Sequence, residues 1–130
     1  MIIIKRSKPV EVGPVENDDR PFQKRVFSWL VAMLQSEAIA KIRRRAVLRF
    51  VEEAIELAQA LAIAEHDVNE VARKVYHKPP GKVAQEFGGV YTTLAALAEC
   101  VNEDLDEIGE KALADCWARI AIIREKEKVK

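Results

Sequence analysis

Between Val47 and Ala62, apolar residues recur at three- and four-residue steps through Leu48, Val51, Ile55 and Ala58. That period gives a helix whose apolar stripe must be covered by other parts of the protein. The same stretch carries Glu52, Glu53 and Glu56. At helical spacing Glu53 and Glu56 project from one side, while Glu52 and Glu56 are neighbours at i and i+4. Like charges so placed repel by roughly 0.2–0.5 kcal/mol unless a cation lies between them. The pattern predicts a helical fold with acids close to its packing surfaces. It points to a hard divalent metal bound by oxygen ligands inside a bundle.

Composition narrows the class. A chain of 130 residues fits one domain with a real core. Aromatic residues make up only 6% while Ala and Leu are abundant, which favours an all-α protein over a β-sandwich. Lys+Arg and Asp+Glu each total 21, so the basic excess typical of proteins that bind nucleic-acid polymers is missing. The apolar runs are too short to cross a bilayer, and Met1-Ile2-Ile3-Ile4 is shorter than a signal-peptide core. The expectation is a cytoplasmic protein without a membrane partner, with Cys100 and Cys116 as free thiols.

Residues 1–21 read as an extended arm, because Pro9, Gly13, Pro14 and Pro21 exclude a continuous helix and Ile2-Ile3-Ile4 suits a short strand. Residues 22–130 read as an all-α domain of four longer helices plus a short one. The first spans about Phe22 to Gln35 and the second about Ile39 to Ala64. A short helix is led by Asp67, as N-cap or first-turn acid, and runs to Val75. Tyr76 to Lys82, with two prolines and a glycine, breaks the pattern. A helix follows from Val83 to Val101, then a last one capped by Asn102 that continues through Ile123 before a solvated, lysine-rich tail.

Glutamates on a helix are commonly just its solvated face. Here their helix is apolar on more than one side, and Glu86 opens the next long helix beside Gly88-Gly89. Each of those glycines costs about 1 kcal/mol in a helix interior relative to alanine. They either let a neighbouring helix approach or leave room for a ligand beside Glu86. His66 and His77 follow no metal spacing and read as loop or cap residues. Trp29 and Trp117 read as core, with Trp117 also a candidate to stack on a base.

Glu53-Ala54-Ile55-Glu56, within Arg49-Phe50-Val51-Glu52-Glu53-Ala54-Ile55-Glu56-Leu57, resembles the acid motif of the MazG-like all-α nucleoside triphosphate pyrophosphohydrolases. The likeness covers residues 44–126. Lys78-Pro79-Pro80-Gly81 followed by Gln85-Glu86-Phe87-Gly88-Gly89-Val90 resembles a phage- and proteobacterium-associated branch. The family pattern is E-x-x-E on one helix and E-x-x-D on a later one; this chain has Gly89 where the aspartate would stand.

The resemblance implies a MazG-like helical bundle and release of pyrophosphate and monophosphate from a (deoxy)nucleoside triphosphate. It implies Mg²⁺, or Mn²⁺, held by Glu52, Glu53, Glu56 and Glu86, with Glu53, Glu56 and Glu86 as the catalytic acids. Arg49, Lys78, Lys82 and Arg119 are the candidates for binding substrate phosphate. Folding the last two helices about Asn102 is expected to bring Arg119 to the height of the acids. A homodimer or dimer of dimers is expected, because the helices are too few to bury all their apolar faces. The alternative is a catalytically inactive module that binds nucleotide or another protein.

Overall fold

In a computed structural model the described backbone spans residues 13–128, with side chains described to residue 123. It is all-helical: α1 (Phe22–Leu34), α2 (Glu37–Ala40), α3 (Arg43–Ala60), α4 (Glu65–Tyr76), α5 (Val83–Cys100) and α6 (Leu105–Lys128). The strand expected at Ile2-Ile3-Ile4 lies outside the described residues. Two compact units emerge. The described parts of Met1–Ile42 and Asp104–Lys130 form one, and Arg43–Glu103 the other.

In the first unit α1 packs on both α2 and α6. Pro21 leads α1 with a fixed φ of −53°, and its carbonyl accepts from the Lys24 and Arg25 amides. The core is Ala32, Ala40, Leu113 and Ile120, all under 9% exposed. Gly109 explains itself here. A Cβ on it would stand 3.2 Å from the Phe22 ring, so the missing side chain lets that ring lie against α6. Trp29 is half-buried, but its indole Nε1 has no hydrogen-bond partner.

Three ion pairs sit on the described residues of this unit, of which Lys41 to Glu37 at 2.8 Å is local to a single helical turn. Arg25 donates to both oxygens of Glu110, joining α1 to α6 across 85 residues of sequence. Arg20 bridges Asp18 at 2.7 Å and Ser28 at 3.0 Å. The Arg20 hydrogen bond holds the Asp18 carboxyl down at about 2, and Arg25 lowers Glu110 below its ordinary 4.5. Carboxyls lowered in the folded state contribute stability that is complete above their ordinary values and lost as pH falls through the folded ones. The unit should therefore loosen as pH drops from about 4.5 toward 2. Both tryptophans of the chain lie on α1 and α6, so their fluorescence reports it. Arg25→Met should flatten the part due to Glu110; an acid transition unchanged in that variant would count against this assignment.

In the second unit α3 packs on α4, while α5 packs extensively on neither. Both α3 and α5 end in the same motif. Ala62 (φ +64°) and Asn102 (φ +60°) take the left-handed conformation. The Ile63 amide donates to Ala58 O, and the Glu103 amide to Ala98 O. Asn102 is thus the stop of α5 rather than the cap of α6. That cap is Asp104, whose carboxylate accepts from the Glu107 amide at 3.0 Å.

Other boundaries also differ from expectation. The helix expected from Ile39 to Ala64 is broken at its start. Ser36 Oγ accepts from the Ile39 amide and caps a single turn, the Ile42 amide bonds Ile39 O, and α3 begins only at Arg43. Asp67 is a first-turn acid of α4, preceded by Glu65. The lysine-rich end continues α6 to Lys128, in keeping with the helix propensity of Glu and Lys. Among the described residues no helix is long and apolar enough to cross a membrane. Cys100 and Cys116 are free.

Candidate functional site

The acids of α3 lie on its polar side, and none of the helix's residues is buried. Arg49 reaches forward one turn to two of them, at 2.9 Å from Glu52 and 2.7 Å from Glu53. One guanidinium therefore serves two carboxylates, and the bonds to Glu52 and then Glu53 raise the Arg49 pKa above its ordinary value. All three side chains are more than half exposed, so these pairs add little to stability. Glu56, one turn further on, has no ion-pair partner among the described residues.

Glu86 occupies the first turn of α5, with its amide bonded to Lys82 O. Its carboxylate folds back over the end of the loop. A Cβ at Gly81 would stand 3.2 Å from Glu86 Cδ and closer still to one carboxylate oxygen. Gly81 thus leaves the space Glu86 uses. Lys78 and Lys82 flank Pro79-Pro80-Gly81, exposed and without ion pairs among the described residues. Arg119 lies on α6 in the first unit, also exposed and unpaired among the described residues.

Gly88 and Gly89 face open space, since a Cβ on either would meet nothing within 4 Å. The hydroxyls of Thr92 and Thr93 turn back onto their carbonyls, at 2.9 Å and 2.8 Å. No neighbouring helix of the described chain uses the missing side chains. His77 ends α4 with Nδ1 2.8 Å from Arg73 O, as a cap residue should; His66 lies within the first turn of α4.

Magnesium requires several oxygen ligands at about 2.1 Å in near-octahedral array. Arg49 already engages Glu52 and Glu53. Among the described residues no group of three or more His, Cys, Asp or Glu is gathered that could hold an ion. One chain by itself does not bring Glu52, Glu53, Glu56 and Glu86 together as a magnesium site.

Sequence reasoning missed a cleft of about 630 Å³ in the first unit, lined among others by Phe27, Val31, Leu113, Trp117, Arg20 and Arg25. Both arginines there are engaged with Asp18 and Glu110. Comparison with protein-family models, curated proteins and solved structures gives no significant match.

Proposed function

We propose that the chain is a nucleotide pyrophosphohydrolase of the house-cleaning kind, acting on a (deoxy)nucleoside triphosphate in the cytoplasm. The observation carrying this reading is the exposed polar face of α3, where Glu56, one turn beyond Glu52 and Glu53, has no ion-pair partner among the described residues. Its sequence resembles the acid motif of the family named above. Water would attack the α-phosphorus, forming one P–O bond as the α–β anhydride bond breaks, and a carboxylate would take the proton. Lys78 and Lys82, without ion pairs among the described residues and near Glu86 in sequence, are suited to the growing negative charge. Mg²⁺ or Mn²⁺ belongs to the substrate, as the ion that accompanies nucleotide phosphates.

A second reading, a helical module that binds other proteins, is favoured by one observation: the apolar side chains of α3, α4 and α5 are widely exposed. A panel of nucleotides incubated with Mg²⁺ and assayed for pyrophosphate and orthophosphate separates the two. The enzyme reading expects pyrophosphate and monophosphate in equal amounts from at least one triphosphate. Orthophosphate alone, or no release from any of them, would overturn it.

A further inference from the structure

We propose that the cleft of the first unit binds a small neutral ligand, an aromatic ring system that carries a carbonyl acceptor. The inference is independent of the activity proposed above, because a binding signal reads it rather than turnover.

The cleft holds about 630 Å³, within the roughly 300–1,000 Å³ that small-molecule sites occupy. All of its lining residues belong to the first unit. Two helices each give it one face. On α6, Glu110, Leu113, Ala114 and Trp117 follow the i, i+3, i+4, i+7 pattern, and on α1 Phe27 and Val31 stand one turn apart. Leu113 is buried, while Phe27, Val31 and Trp117 are half-buried and keep surface open to a guest. The two rings favour a flat aromatic guest over a flexible chain, through stacked and edge-on contacts.

The polar rim decides the charge of that guest. Arg20 gives Nε and Nη2 to the two Asp18 oxygens, at 2.9 Å and 2.7 Å, and Arg25 grips both oxygens of Glu110. Glu37, the remaining acid of the lining, pairs with Lys41 at 2.8 Å. Every charged side chain of the lining therefore has its counter-charge in place, and a charged ligand would give up water without finding a free partner.

Hydrogen-bonding capacity is left over all the same. Ser28 Oγ accepts from Arg20 Nη2 at 3.0 Å, which leaves its own hydrogen to donate. Arg20 Nη1 makes no hydrogen bond among the described residues. Both groups are donors, so what satisfies them is an acceptor. The strong neutral acceptor is a carbonyl oxygen.

Titration of the full chain with coumarin, a neutral two-ring lactone, tests this by ¹H–¹⁵N NMR. The Trp117 indole N–H signal, identified by its loss in Trp117→Phe, should shift in a saturable way below about 1 mM ligand. Coumarin-3-carboxylate, the same ring with an added negative charge, should bind more weakly, because its charge is desolvated without compensation. Ser28→Ala keeps a good helix former on α1 and should weaken coumarin about 3–10-fold, the share of one hydrogen bond. Naphthalene has no acceptor, so its binding should not change in that variant. No shift with coumarin would overturn the proposal, and so would a carboxylate that binds more tightly than coumarin. A Ser28→Ala chain that binds coumarin like wild type, or loses coumarin and naphthalene equally, would overturn it too.

Discussion

Glu56→Gln should cut pyrophosphate release by about 10²–10⁴-fold, the usual contribution of a positioned acid–base group, with stability nearly unchanged. The substitution keeps the size of the side chain and replaces one good helix former by another. Glu56 is exposed and pairs with no cation among the described residues, so no folded-state contact is lost. Exposed changes of this kind usually stay within about 0.5 kcal/mol. Glu52→Gln and Glu53→Gln differ, since each removes a partner of Arg49 and leaves that guanidinium freer. Comparing the three variants by rate and melting temperature distinguishes a chemical role from a charge-balancing one. Wild-type turnover in Glu56→Gln would defeat the assignment. If the natural chain releases nothing, Gly89→Asp becomes the informative variant. A side chain at that position meets open space, so activity gained there would reveal a decayed acid site.

Much of the helix content was legible because it rests on local rules. The period of three and four placed α1 and α5 to within a residue or two, and Pro79-Pro80-Gly81 marked the loop between α4 and α5. What could not be read were stops made by backbone geometry. Ala62 carries a Cβ that disfavours a left-handed φ, yet it closes α3 in the pattern seen at Asn102, with the Ile63 amide bonding back to Ala58 O as the Glu103 amide does to Ala98 O. Asn suits both an N-cap and a left-handed stop, so residue type pointed to a cap at Asn102 where the backbone makes a stop. The break at Lys41-Ile42 is similar, because Ser36 caps a turn that ends almost at once. For the site, spacing supplied the shared face of Glu52, Glu53 and Glu56. It could not tell that Arg49 would take two of them, or that Glu86 would turn onto Gly81. Arg25 and Glu110 are 85 residues apart, beyond any local pattern.

Ile120→Ala should be the most damaging single truncation in the first unit, costing about 2–5 kcal/mol. Ile120 is 5% exposed on α6, two turns after Leu113 at 8%, in a core that otherwise consists of Ala32 and Ala40. So few large buried side chains leave little to collapse into the space, and the lost transfer energy and the cavity add together. Domains have only about 5–15 kcal/mol in all, so this loss is a large share. In a unit of this size it should lower the melting temperature by on the order of 10–20 °C. Ile122→Ala supplies the control. It removes the same atoms from the same helix, but Ile122 is 56% exposed, so its cost should be several-fold smaller. Tryptophan fluorescence melts compare the two, because Trp29 and Trp117 both report on α1 and α6. Equal losses in the two variants would mean that burial on α6 is not what holds this unit together.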